Sequence, residues 1–309
     1  MSDADIRPAD IKPADAKPTA TPRADVIHDI GYRHYDGPRL GRSYATRSLF
    51  VLGLRGSFGL GRSIKSKILP MGMLAVMCVP AVIIVAVAVY TKMGQLPLEY
   101  PRYLSNLQFV IAVFIASQAP VALSRDLRFM TLPLYFSRPL TSRDYVRAKF
   151  AAMFSAMFIL TALPMLIMWI GSMLASMSFS YNLEHLGYGL VAAACYALVY
   201  SGIGLVISSL TPRRGFGVAA IIGLLLISEA VSGIVYGVLT VKGHHSGAHW
   251  AMLINPGGLV DSTVTWMFNL RHQGFVGVPS TFGAYVFIAE ILVLALASYG
   301  LLVRRYRKI

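Results

Sequence analysis

Six apolar runs alternate with short polar interruptions along this chain, at 69–90, 104–123, 150–175, 186–210, 216–240 and 282–303. Each is close to the roughly 20 residues that cross hydrocarbon as a helix. The pattern predicts an all-α polytopic membrane protein with six transmembrane helices. Ahead of them, 48–67 mixes Leu49, Phe50, Leu52, Leu54, Phe58, Leu60 and Ile64 with Arg55, Arg62, Lys65 and Lys67, as an interfacial helix at headgroup level does. Glycines at 53, 56, 59 and 61 weaken that helix. The sequence therefore divides into a cytosolic tail over 1–47 and a six-helix transmembrane domain over 48–309.

The polar interruption 124–149 organises the rest. It reads SRDLRFMTLPLYFSRPLTSRDYVRAK and carries Arg125, Arg128, Arg138, Arg143, Arg147 and Lys149 beside Asp126 and Asp144. Such a stretch cannot lie in hydrocarbon. Pro133 and Pro139 break it, because each lacks an N–H and disfavours helical geometry in the residue before it. Ser124 to Leu132 can continue the preceding helix, while Thr141 and Asp144 have the spacing of a capping box that starts the next one. The product is a compact knuckle whose apolar side is Leu132, Leu134, Tyr135, Phe136 and Leu140. It reads as a well-packed loop or as a docking element for a cytosolic partner.

Charge adds orientation. The basic residues number 12 before the first run, 6 in the knuckle, 2 between the fourth and fifth runs and 4 after the last. Only Lys92, Arg102, Lys242 and Arg271 fall on the other side. The positive-inside rule thus puts both termini in the cytosol of a bacterial cell membrane. A net charge of +14 invites a nucleic-acid reading, but these cations are spread between apolar runs and form no face beside stacking aromatics. With 56% hydrophobic and 14% charged residues, the composition is that of a membrane protein in contact with lipid. The start has no apolar core and does not resemble a cleavable signal peptide. DIRPA, DIKPA and DAKPT, beginning at Asp5, Asp10 and Asp15, form an imperfect repeat rich in proline and charge, which predicts a disordered tail.

Candidate chemistry is sparse. Glu229 lies near the middle of the fifth run and Glu290 a third of the way into the sixth. A carboxylate in lipid is costly, so each must face protein or water. Glu229 is the candidate for a translocation or proton pathway, whereas Glu290 reads as a hydrogen-bonded neutral acid. His244, His245 and His249 sit in the long connection 241–281, where Gly243 and Gly247 argue against the helix that would bring two of them onto one metal. No metal site is assigned. In the same connection, Leu259 to Phe268 predicts a short helix lying at the outer surface. GLGRSIKS lacks the GxxxxGK[ST] spacing and follows no strand, so no nucleotide site is read there. Cys78 and Cys195 lie within apolar runs as small packing residues. Gly233 and Gly237 have the small-xxx-small spacing of a close helix contact, within one subunit or between two.

Six helices with both ends inside, a preceding interfacial helix, a knuckle after the second helix and an outer helical segment before the last make a set that resembles the permease subunit of bacterial type 2 ABC exporters. The local resemblance is strongest at LPLYFSRPLTSRDYVRAKF, and the architectural one covers about 48–309. The resemblance implies two permeases, identical or different, bound to two cytosolic ABC ATPase subunits that seat the loop after the second helix in a groove. The coupling element would fall within Asp126 to Asp144, with Leu127, Phe129, Tyr135 and Phe136 as buried contacts and Arg128, Arg138 and Arg143 as polar ones. The chain carries no nucleotide-binding domain, so ATP and magnesium would bind the separate ATPase; the chain itself would need no cofactor and would not be an enzyme. Two other readings stand beside this one. A proton-coupled secondary transporter would work through Glu229, although no internal repeat of the usual kind is visible. A polytopic membrane enzyme would use Glu229, Glu290 and the histidines, although no HExxH is present and no histidine lies in a membrane run.

Overall fold

The computed structural model of the chain describes residue 37 and residues 40–137, 140–270 and 276–308. Most of the expected N-terminal tail, and Arg138 of the knuckle, lie outside the described residues. Among the described residues every regular element is helical: α1 Arg42–Ser57, α2 Ile64–Tyr90, α3 Tyr100–Asn106, α4 Gln108–Arg128, α5 Leu132–Phe136, α6 Ser142–Leu174, α7 Phe179–Leu210, α8 Arg214–Val241, α9 His245–Ala248, a 3-10 turn His249–Leu253, α10 Pro256–Met267 and α11 Thr281–Tyr306. Six of these, α2, α4, α6, α7, α8 and α11, are long and apolar enough to span a membrane.

Helix ends explain the boundaries. The capping box is present: the Asp144 backbone N–H donates to Thr141 Oγ1 at 3.4 Å and the Thr141 N–H donates to Asp144 Oδ2 at 3.0 Å. This cap starts α6 well before the apolar run at 150. Its 33 residues reach about 50 Å, longer than hydrocarbon is thick, so the first turns with Arg143 and Arg147 stand beyond it. At the other ends, a residue with positive φ two positions past the helix reverses the chain. Lys92, Met130, Ser176 and Asn269 do this after α2, α4, α6 and α10, with φ between 49° and 56°. After α4 the Thr131 N–H donates to the Asp126 carbonyl at 3.1 Å and the Met130 N–H to the Leu127 carbonyl at 3.4 Å, the two bonds of a Schellman closure.

Two expectations are corrected. The helix expected over 48–67 is instead α1, which begins at Arg42 and ends at Ser57. Gly59 turns the chain there with φ +69°, where an added Cβ would lie 2.5 Å from the Ser66 carbonyl oxygen, and Ile64 to Lys67 begin α2. The outer helix is also not superficial. In α10 every residue from Pro256 to Thr265 is buried, against α3, α7, α8 and α11. Its first turn comes so close to α4 that a Cβ on Gly257 would lie 1.6 Å from Gln108 Nε2.

The core is built around α7, which packs against α4, α6, α11, α3, α10 and α8. In the most apolar stretch of α4 and of α7, 56% of residues are buried inside the chain, against 17% in α2 and in α8. α2 and α8 are therefore the peripheral walls. Met157, Leu160, Met165, Met168, Tyr196 and Leu205 are among the side chains that fill the centre at 1% exposure or less.

Candidate functional site

The knuckle is built from the end of α4, the single-turn α5 and the start of α6. Its two acids face inward. Asp126 Oδ2 accepts from the Tyr145 hydroxyl at 2.7 Å and pairs with Lys149 Nζ at 2.8 Å, and Lys149 also donates to the Ala122 carbonyl at 2.8 Å. Asp144 is held by Arg42, whose Nε donates to Oδ2 at 2.6 Å and whose Nη2 donates to Oδ1 at 2.9 Å and to Thr141 Oγ1 at 3.0 Å. The first bond set ties α4 to α6, and the second ties α1 to the same end of α6. Tyr145 is the aromatic hub, with its ring 5.8 Å from Tyr135, 6.2 Å from Phe136 and 5.1 Å from Tyr306.

This arrangement sorts the sequence-predicted contacts. Tyr135 and Phe136 are half-buried and turn onto Tyr145, and Leu127 is half-buried against the core. Leu132 and Leu140 are buried. The apolar side chains left outside are Phe129 at 63% exposure, Met130 at 78% and Leu134 at 69%. Arg125, Arg128 and Arg143 are exposed, and the Arg128 guanidinium carbon lies 5.7 Å from the Phe129 ring centre. An apolar tip with a cationic border thus stands on a base of hydrogen bonds and rings. Met130 owes its position to the left-handed turn that closes α4, and the composition of the sequence does not mark that turn, because methionine is not a turn residue.

A second polar cluster lies among α3, α4, α7 and α10. The Tyr196 hydroxyl donates to Asp261 Oδ1 at 2.6 Å, and Gln108 Nε2 donates to the Tyr200 hydroxyl at 3.1 Å and to Asn255 Oδ1 at 3.4 Å. Arg102 and Ser105 of α3 line a small cavity with Asp261, and the buried Nη2 of Arg102 has no hydrogen-bond partner there. Burial pushes the Asp261 carboxyl up to about 6, against the opposing pull of Ser105, Tyr196 and Arg102. The sequence reading passed over Asp261, although an acid inside the apolar run LVDSTVTWM is the available signal. It also passed over Arg42, Tyr145 and Lys149 as partners of the two knuckle acids.

The Asp261 shift has a direction that can be tested. The folded chain holds this proton more tightly than an unfolded chain with the ordinary value of 3.8. Stability from this group is therefore complete below 3.8 and is lost as pH rises through about 6. Thermal melts in detergent are expected to show the wild type losing stability relative to Asp261→Asn over that window. Parallel curves for the two proteins would refute the assignment.

Glu229 is exposed on α8. On the same helix, a Cβ at Gly233 or Gly237 would meet nothing within 4 Å, so among the described residues no helix uses the small-xxx-small face. Glu290 is half-buried on α11. His244 and His245 are exposed, and His249 is half-buried with its ring 5.5 Å from Tyr236. Although Gly243 and Gly247 argued against a helix, a single turn, α9, forms there. Among the described residues no three His, Cys, Asp or Glu side chains gather as metal ligands would.

These features define an all-α, multi-pass membrane protein. No protein-family model matches the chain, and no curated protein matches it.

Proposed function

We propose that this chain is the membrane-spanning permease subunit of an ABC exporter, driven by a separate cytosolic ATPase that grips the knuckle. The observation that carries the proposal is the exposed tip of Phe129, Met130 and Leu134, bordered by Arg125 and Arg128 and anchored to two spanning helices through Asp126, Tyr145 and Lys149. Apolar side chains on a structured base among cations, past the end of a spanning helix, suit a protein groove. ATP and magnesium would bind the ATPase, and its closure would move α4 and α6 together as one body.

The bare wall of α8 supports pairing with a second permease. A glutamate exposed at the middle of an apolar helix needs protein or water beside it, and Gly233 and Gly237 leave room for a close helix. A second copy across this face would place Glu229 along a shared pathway for cargo.

Purification of tagged protein in mild detergent from its native host tests the proposal. A stoichiometric co-purifying chain with a GxxxxGK[ST] phosphate loop is expected. The proton-coupled reading gains if that chain is absent and transport is lost in Glu229→Gln.

A further inference from the structure

We propose that the cationic end of the bundle holds an anionic phospholipid in a seat formed by the first turns of α6 and the last turns of α11. A groove of about 840 Å³ opens there, with Arg143, Arg147, Arg304, Arg307 and Lys308 on its rim and no acid among its lining residues. Among the described residues no ion pair engages any of these five cations, because Asp144, the acid in the first turn of α6, is already held by Arg42. The floor is apolar. Tyr299 and Val303 line it, and the Tyr299 ring stands edge-on to Phe150 at 6.2 Å. Gly300 gives the floor its depth, since a Cβ at that position would meet nothing within 4 Å.

A second groove, of about 450 Å³, runs on the other side of α11 and shares Arg304 and Lys308 with the first. Val206, Leu210 and Leu301 are among its walls. Two apolar troughs therefore meet at one cationic ridge. A soluble phosphate or nucleotide would use the ridge and leave the troughs bare. A two-chain lipid with a net negative headgroup satisfies both, with its phosphate among the guanidinium groups and its acyl chains along α11 on either side. Guanidinium forks match phosphate oxygens in pairs, and a rim of five cations with no acid among the lining residues repels the ammonium of a zwitterion, which favours a headgroup with net negative charge. Arg143 belongs both to this seat and to the polar contacts expected of the knuckle, so the variant at Gly300, which lies outside the knuckle, is the one that separates the lipid seat from the exporter reading.

The test is native mass spectrometry of the full chain released from vesicles of equal phosphatidylglycerol and phosphatidylethanolamine. The wild type is expected to retain phosphatidylglycerol selectively. In Arg143→Gln/Arg147→Gln the selectivity is expected to fall roughly thirtyfold, since each basic residue near an anionic surface contributes about a factor of five. Gly300→Leu keeps every charge, has open space at its Cβ, narrows the floor and should also lose the adduct, so the proposal is still decided if the arginine variant fails to insert. Equal retention of the two lipids, or unchanged adducts in Gly300→Leu, overturns it. Release of the adduct by millimolar pyrophosphate would make this a site for soluble anions, and conversion of a dimer to monomer in Gly300→Leu would make the face a contact between copies. Either result also overturns the lipid seat.

Discussion

On the proposed exporter reading, Leu134→Asp is expected to abolish ATP-driven transport while the chain still folds and inserts. Leu134 is 69% exposed, and a surface substitution of this kind costs within about 0.5 kcal/mol of stability. In a groove of the ATPase the same side chain would be an apolar anchor, and such anchors contribute about 2 kcal/mol or more when lost. Burying a carboxylate there adds a desolvation penalty. Loss of the co-purifying ATPase, together with an unchanged melting temperature, is the expected pair of readings. Retention of the ATPase and full transport would remove the tip from the mechanism. Tyr135→Ala should behave differently, because its ring lies on Tyr145: the melt shifts first, and coupling suffers only as a consequence.

The second large effect is structural. Asp126→Ala removes both the acceptor of the Tyr145 hydroxyl and the partner of Lys149, whose side chain is only 11% exposed. Stranding a buried charge costs about 3–5 kcal/mol. Replacing both members, Asp126→Ala with Lys149→Met, removes that stranded ammonium and is expected to recover most of the loss. Urea or thermal unfolding of the two single variants and the double variant measures the coupling. Additive losses would mean that the pair does not hold α4 to α6.

The six spanning helices were legible in the sequence because hydrocarbon length and apolar composition leave few alternatives over runs such as 216–240. The capping box was legible as well, since Thr141 and Asp144 interact three residues apart. Contacts across long sequence separations were not. Nothing local links Arg42 to Asp144 or Tyr196 to Asp261, and both pairs form only when distant helices are brought together. The direction in which the knuckle side chains face was equally hidden. The proline-broken stretch made Leu134, Tyr135 and Phe136 look alike as apolar neighbours, and only the turn closing α4 sends the first outward and the other two onto Tyr145. The stops read at 90, 175 and 268 fall within a residue of the ends of α2, α6 and α10, although the left-handed turns taken there by Lys92, Ser176 and Asn269 carry no glycine to mark them. The burial of α10 was not legible, because its hydroxyl-bearing residues suit surface or core alike, and only the fold shows Thr263 buried with its hydroxyl donating to the Leu259 carbonyl at 2.7 Å.

The unbroken course of α6 has a mechanical consequence. One piece of backbone joins Ser142 at the knuckle to Leu174 at the opposite face, and its middle is clamped by side chains at 1% exposure or less, Met157, Leu160 and Met165 among them. A push at one tip would then swing the other about a fulcrum in the core, like an oar in its lock. On the proposed reading, the tightness of that oarlock, more than the strength of the pull, would decide how far each stroke opens the far side.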